Sequence, residues 1–277
     1  MIIARTLEDL KIAREALGEV NFVPTMGALH EGHLTLVRAA REAGRPVAVS
    51  IFVNPTQFGP KEDLSRYPRD EAGDLAKLEQ AGCALVWLPR VDTMYPPHAS
   101  TTVHVTNVSA RWEGATRPGH FDGVATVVAK LFGQIRPKAA FFGEKDWQQV
   151  QVVRRMVADL HLPVDIVPVP TVREADGLAR SSRNAYLSEA ERKAAPALYA
   201  ALTEAVKAIL AGKEVAATLH KVRQDLAAAG MTPDYVALVH AHSLEPLAGF
   251  KAPARLIAAA KLGTVRLLDN LAVSSQL

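Results

Sequence analysis

Apolar positions along the chain recur in two rhythms. Leu7, Leu10, Ala13 and Leu17 fall at helical spacing behind Thr6-Leu7-Glu8-Asp9, a polar cluster of the kind that caps a helix. Val20-Asn21-Phe22-Val23 is a short apolar run and reads as the first strand. It leads into a glycine-bearing loop, Pro24 to His33, and then into a helix over His33 to Ala43 with Leu36, Val37 and Ala40 on one face. Pro46 to Val53 predicts a second buried strand. The alternation continues with a helix over Asp70 to Ala81, a strand over Ala84 to Leu88 and a helix over Val124 to Ile135. A strand over Ala139 to Phe142 and a helix over Asp146 to Leu160 complete it.

Strands separated by helices pair in parallel through right-handed crossovers, which predicts an α/β fold with a doubly wound, mostly parallel, Rossmann-like sheet. Short, uniformly apolar strands fit burial on both faces. Past Val172 the order changes. Ser188-Glu189-Ala190-Glu191 is a capping box that opens an alanine-rich helical region broken at Pro196, and Val215 to Ala229 is a further helix. Strands over Tyr235 to His240, Arg255 to Ala260 and Val265 to Leu268 follow with no helix between them. This pattern predicts a smaller α+β domain. With the boundary near Arg173 to Gly177, the expected domains are residues 1–174 and 175–277, the second closing over a site that the first presents.

Composition narrows the function classes. The 277 residues suit two domains at roughly 150 each, and 49% hydrophobic residues exclude disorder. Cys83 is the one cysteine, so neither an internal disulfide nor a cysteine-only zinc site can form, and a reducing compartment is the default. Charges in the first ten residues leave no room for the apolar stretch of a signal peptide, and no apolar stretch is long enough to span a bilayer. The expectation is a soluble, cytoplasmic protein without a membrane partner. The 32 basic and 29 acidic residues give a net charge of +3, too small to argue for nucleic acid but sufficient for a small phosphorylated ligand if basic groups converge.

Candidate chemistry begins between the first strand and the next helix. Ligands of open α/β sheets bind there, and a helix N-terminus offers unpaired N–H groups with partial positive charge. His30 and His33, flanked by Gly27 and Gly32, add two imidazoles that can point the same way. Gly27 and Gly32 are followed by His33-Leu34 and not by the Lys-Ser/Thr of a P-loop, and the spacing is not that of a zinc-protease helix. The plain alternative is a pair of loop histidines capping backbone groups. Lys145, at the end of the Phe141-Phe142 strand, is either a second phosphate-facing group or a surface lysine; Asp146 caps the next helix, orients Lys145 or holds a ligand hydroxyl. Ser181, Ser182 and Arg183 form a polar loop at the domain junction, suited to phosphate oxygens or serving as a linker. Gln57 and Gln149 carry amides that donate and accept. Arg117, ahead of His120, either reaches an acidic substrate or caps a helix. Asp63 and Asp70 could bind magnesium, but the sequence does not choose them.

His30-Glu31-Gly32-His33 resembles the H-x-G-H signature of the nucleotidyltransferase superfamily. In order along the chain come Pro24 to His33, Ile51-Phe52-Val53-Asn54-Pro55-Thr56-Gln57-Phe58, Arg117-Pro118-Gly119-His120-Phe121, Phe142-Gly143-Glu144-Lys145-Asp146 and Ser181-Ser182-Arg183-Asn184. This series resembles the pantothenate synthetases over the whole chain. The resemblance implies a ligase that forms pantoyl adenylate and pyrophosphate from ATP and pantoate, after which β-alanine displaces AMP. It implies catalytic roles for His33, His30, Lys145, Ser182 and Arg183, with His33 the family's assigned proton donor, although hydrogen bonding to phosphate serves as well. It places ATP on Met26, Gly27, Gly32, Gly143, Glu144, Asp146, Val172, Arg180 and Ser181 beside those five, and pantoate on Gln57, Gln149 and Arg117. It also implies magnesium (Mg2+) and a homodimer. Arg180 departs from the apolar residue the family often carries before Ser-Ser-Arg, and Trp147 stands in place of Tyr or Phe. The competing activities are a cytidylyl- or adenylyltransferase of the same superfamily and, disfavoured by the absence of a basic stripe, a tRNA-associated module.

Overall fold

A computed structural model describes residues 1–60 and 62–274. Its first elements are β1 (Ile2–Ala4), α1 (Leu7–Leu17), β2 (Asn21–Thr25), α2 (Glu31–Glu42), β3 (Val47–Ile51), α3 (Glu71–Gln80) and β4 (Leu85–Trp87). Short helices α4 (Val91–Met94) and α5 (Glu113–Thr116) precede α6 (His120–Ile135), β5 (Ala139–Gly143), α7 (Trp147–Asp159) and β6 (Asp165–Val169). The strands form one six-stranded sheet of order β1-β4-β3-β2-β5-β6, parallel at every pairing.

Side chains alternate across this sheet. Val23, Val49, Val86 and Phe141 pack on one face with Leu36, Val37 and Ala40 of α2 and Leu78 of α3. Phe22 points to the other and meets Phe132 of α6 edge-on, the ring centroids 6.4 Å apart. Thr6 caps α1 in a reciprocal box with Asp9, as its sequence predicts.

Two strands escaped the sequence pattern, so Val20 to Val23 belongs to the second strand and not the first. β1 is three residues long at a sheet edge, with Ile2 and Ile3 about two-fifths exposed. β6 is the other edge and carries Pro168. Edge strands this short or half-exposed give no alternation to read. The strand also runs through Pro24 and Thr25, leaving a loop of residues 26–30, and His33 lies inside α2.

From β2 the chain moves outward to β3 and β4, then returns to β5 on the opposite side of β2. Such a reversal leaves a crevice at the carboxyl ends of the strands. Here Pro24 helps to open it. The β2 residues alternate, with Asn21 N–H and Thr25 C=O directed at the β3 side and Val20 C=O at the β5 side. The N–H that proline lacks would therefore have pointed at β5. Pairing of β2 with β5 stops at Phe22, whereas pairing with β3 continues to Thr25.

The chain falls into two compact units, Met1–Gly143 with Gln149–Pro170, and Glu144–Gln148 with Thr171–Leu277. In the second, α8 (Glu189–Ala194), α9 (Ala197–Leu210) and α10 (Val215–Ala228) precede an antiparallel sheet of β7 (Thr232–His240), β8 (Ala254–Leu262) and β9 (Val265–Val273). Ser188 and Glu191 close the predicted capping box, and Pro196 separates α8 from α9. Leu198, Leu202 and Val206 of α9 share a core with Leu238, Leu256 and Leu267 of the sheet.

Helix α6 rests on the 3-10 turn Pro55–Gln57 through Gly123, where an added Cβ would lie 2.4 Å from the Thr56 carbonyl oxygen and 2.7 Å from Gln57 Cα. Both contacts are backbone and cannot rotate away. Gly123→Ala is expected to destabilise the protein by about 1–3 kcal/mol. Gly133→Ala on the same helix meets nothing within 4 Å and is expected to be neutral or stabilising by up to about 1 kcal/mol. Urea midpoints of the two variants check the pair; equal midpoints would remove the close approach as the reason for Gly123.

Candidate active site

The loop after β2 is held by a buried carboxylate. Asp74 on α3 is 1% exposed, and its two oxygens accept from Ala28 N–H at 2.8 Å and Leu29 N–H at 2.7 Å. Lys77 donates to the Leu29 carbonyl at 2.9 Å, closing the clamp from the same helix. The turn requires φ of +82° at Gly27 and +51° at Ala28, the latter costing an alanine about 1–2 kcal/mol. A Cβ at Gly27 would meet Asp74 Oδ2 and Ile51 Cγ2, each at 3.0 Å. Sequence reasoning missed Asp74, whose one signal was a carboxylate four residues before buried Leu78 on the same helical stripe.

That clamp delivers the chain to His30, which caps α2. His30 Nδ1 accepts from Gly32 N–H at 3.1 Å, and His33 Nδ1 accepts from His30 N–H at 3.3 Å. The rings lie 4.2 Å apart at 38°. With both Nδ1 lone pairs engaged, the hydrogen-bond network assigns the proton of each neutral ring to Nε2. Capping and ligand donation are thus not alternatives. The capping contacts fix the tautomer that offers an Nε2–H from each ring.

Gln57 lies beside Met26, its Nε2 donating to the sulfur at 3.1 Å. Buried Asn54 sets the amide's sense by donating to Gln57 Oε1 at 3.1 Å and to the Gly123 carbonyl at 3.1 Å. Asn54 Oδ1 is in turn occupied by Tyr95 O–H at 2.8 Å and Thr56 O–H at 3.0 Å, so this amide cannot flip without losing both. The Gln57 amide therefore has its NH2 end fixed as the donor, toward Met26. Near Met26, a cleft of about 850 Å³ is lined by Ile51, Phe52, Leu88 and Tyr95, with Arg5 and Arg69 also on its wall.

Arg117 is engaged within the protein. Its guanidinium pairs in bidentate fashion with Glu62, both contacts 2.7 Å, and donates to the Gln57 carbonyl at 3.3 Å and to His120 Nε2 at 3.1 Å. His120 Nδ1–H completes the set by donating to the same carbonyl at 2.9 Å. Burial raises the Glu62 carboxyl, but the hydrogen bonds and charge of Arg117 more than reverse this and hold it below the ordinary range. Burial, with the Arg117 charge adding to it, pushes His120 down to about 4.

Lys145 sits in the 3-10 turn Glu144–Asp146 that follows β5. The turn is held by β8 and β9: Asn270 Nδ2 donates to the Glu144 and Lys145 carbonyls at 2.9 and 2.8 Å, and Arg255 pairs with Glu144 at 3.0 Å. Trp147 donates to the Ala241 carbonyl at 2.6 Å beneath the Arg255 guanidinium, which stacks 3.7 Å from its ring. Lys145 and Ser181 line one small cleft of this unit with Asn184 and Tyr199. Ser181 caps the turn Ser182–Tyr186, accepting from Arg183 N–H at 3.3 Å. Arg180 is paired with Glu174 at 3.0 Å, and its N–H is bonded to the Val172 carbonyl. Gln149 lies half-buried in the first turns of α7. Asp70 caps α3 by accepting from Gly73 N–H at 3.0 Å.

A family model described as pantoate-beta-alanine ligase matches residues 2–272. The chain is 59% identical over 278 residues to the pantothenate synthetase of Acidiphilium cryptum, spanning 99% of this chain and 100% of that protein. The crystal structure of pantothenate synthetase from Thermus thermophilus superposes with a TM-score of 0.94 at 51% identity, covering 99% of each chain. That of pantoate-beta-alanine ligase from Francisella tularensis, complexed with beta-gamma ATP and beta-alanine, superposes with a TM-score of 0.84 at 32% identity, covering 99% of this chain and 98% of that one.

The geometry around His120 has a pH consequence. A histidine held neutral at a folded value near 4 against an ordinary 6.5 is protonated first in the unfolded chain. Its contribution is complete above pH 6.5 and is lost as pH falls toward 4, a change on the order of 3 kcal/mol. Stability measured by urea unfolding from pH 7 to pH 4 should fall more steeply in the parent protein than in His120→Asn, whose amide can still donate to the Gln57 carbonyl. Parallel slopes would show that His120 titrates normally.

Proposed function

The chain belongs to the pantoate-β-alanine ligase family, and we propose from that premise how its residues divide the reaction. The protein is an ATP-dependent ligase that joins pantoate and β-alanine into pantothenate, releasing AMP and pyrophosphate by way of a pantoyl adenylate. The observation that carries the assignment of roles is the His30–His33 pair, tautomer-fixed at the N-terminus of α2 where the strand order reverses.

In the first step a pantoate carboxylate oxygen bonds to the α phosphorus of ATP and the bond to the β-phosphate bridging oxygen breaks. A carboxylate nucleophile brings no proton to remove, so this step calls for charge stabilisation and alignment. His30 and His33 supply Nε2–H donors beside the amides of the α2 N-terminus, while Lys145 and Arg183 supply positive charge and Ser182 a hydroxyl donor. In the second step the β-alanine nitrogen, as a free amine, attacks the acyl carbon; the C–N bond forms, the bond to AMP breaks, and the nitrogen gives up a proton.

Gln57, whose amide sense is fixed by Asn54, suits a carboxylate or hydroxyl oxygen of pantoate, with Gln149 as its counterpart. Arg117 serves by holding the Gln57 main chain, since Glu62, His120 and that carbonyl take four of its five N–H donors. Magnesium suits the reaction as a companion of ATP, since it commonly keeps phosphate and water ligands. The ion neutralises phosphate charge when bound. Family resemblance further supports a cytoplasmic homodimer, and among the described residues no helix is long and apolar enough to cross a membrane.

Radiolabelled pyrophosphate should exchange into ATP when pantoate and magnesium are present and β-alanine is absent, and should cease when pantoate is withheld. Release of ADP, or exchange that needs β-alanine, would defeat the acyl-adenylate route. Exchange into CTP with a phosphorylated acceptor would identify the cytidylyltransferase alternative.

Lys145→Ala should lower the exchange rate about 100- to 1000-fold, the loss expected for one preorganised transition-state donor. Circular dichroism should show an unchanged fold. A loss under about threefold would end the catalytic reading of Lys145.

A further inference from the structure

We propose that Asn270 is a positioning residue for Lys145, setting the turn that carries the ammonium group through two hydrogen bonds to consecutive main-chain carbonyls. The inference rests on the catalytic reading of Lys145 and adds a residue that makes no contact with substrate in that reading.

Asn270 lies in the middle of β9 and is 5% exposed, beside Asp269 at 2%. Two adjacent buried polar residues in a strand are costly unless every polar atom is satisfied. The partners found here are specific. Asn270 N–H donates to Asp269 Oδ1 at 2.8 Å, and Asp269 is fixed by Arg173 through contacts of 2.6 and 2.8 Å. Asn270 Oδ1 accepts from the Arg255 guanidinium. That contact dictates the amide's sense, because a flip would set its NH2 against a cation. Both N–H groups then point at the turn, one to the Glu144 carbonyl at 2.9 Å and one to the Lys145 carbonyl at 2.8 Å.

These contacts act on a short segment. It is three residues of 3-10 helix between a strand end and a helix start, and short 3-10 segments have weak internal hydrogen bonds. Fixing the carbonyls of the peptide bonds before and after Lys145 leaves its Cα–Cβ direction little freedom. Arg255 also grips Glu144 through its carboxylate and covers Trp147, so the residues flanking Lys145 are tied to the same strand pair. An apolar residue at 270 would leave both carbonyls and Arg255 without this partner, and it would not orient the turn.

Asn270→Asp tests this without changing shape. The carboxylate keeps its partner Arg255, but oxygen replaces the NH2 that faces two carbonyl oxygens. Pyrophosphate–ATP exchange should fall about tenfold or more in kcat, the loss of one to two hydrogen bonds, while KM for ATP changes less than about threefold. Asn270→Ser, which retains one hydroxyl donor, should fall between, and it carries the test should the aspartate variant not fold. In the Lys145→Ala background, either substitution should cost no more than about a further twofold, because its effect passes through the missing ammonium. A merely structural residue would show its full loss in both backgrounds. The inference is overturned if exchange in both variants stays within about twofold of the parent, or if the loss persists undiminished without Lys145. An unaffected Lys145→Ala enzyme would instead overturn the reading of Lys145, and the inference with it.

Discussion

The parting of β2 from β5 after two residue pairs is the constraint on which the site in the first unit depends. A parallel sheet gains by pairing along its full length, and β2 does so with β3 up to Thr25. On its other side Pro24 removes the donor that would have continued the ladder, and the strands separate at the point where the strand order reverses. The loop that follows must then turn sharply without a neighbouring strand to support it. Asp74 supplies that support from α3, at the cost of a buried carboxylate that two amides and Lys77 compensate. Gly27 follows from the same requirement, since the carboxylate occupies the space a side chain would need.

Two sets of histidines show how local hydrogen bonds decide what an imidazole can do. In His30 and His33 the Nδ1 atoms accept from backbone amides, so each ring presents an N–H donor without carrying a charge. Neutral donors beside a helix N-terminus can bind phosphate oxygens with no proton taken up. In His120 the roles are inverted. Its Nδ1 donates to the Gln57 carbonyl and its Nε2 accepts from Arg117, which a protonated ring could not do. Burial and the adjacent guanidinium favour the same neutral state, so this imidazole is a spacer of fixed polarity within the scaffold behind Gln57.

Periodicity made most of the fold legible because most elements bury one regular face. The helix at Leu36, Val37 and Ala40 could be read from its stripe, Ser188 with Glu191 announced a helix start, and Pro196 marked the break after it. β1 and β6 could not be read, since edge strands this short or half-exposed show no alternation. The same division holds for the site. His30, His33, Lys145 and Gln57 sit next to strand ends and stand out by position and motif. Asp74, Glu62 and Asn270 do not, because their importance lies in pairing with Ala28, Arg117 and Glu144, separations of 46, 55 and 126 residues in chain order. Arg117, read from sequence as reaching an acid or capping a helix, is paired with Glu62 at a separation of 55 residues that no local pattern reveals.

Buried asparagines recur where a neighbouring group must keep one orientation. Asn54 behind Gln57 and Asn270 behind the Lys145 turn each accept at oxygen from donors that prevent a flip, and each directs its NH2 at acceptors that include a segment proposed to face ligand. Aspartate would repel those acceptors, and leucine would leave them unsatisfied at about 1–3 kcal/mol each. An amide held from both ends transmits direction without introducing charge. That property matters beside a polyphosphate, where an additional carboxylate would weaken binding and an additional cation could bind the nucleotide tightly before any reaction. The scaffold thereby keeps charged groups for positions proposed to meet the phosphates and uses neutral amides to aim them.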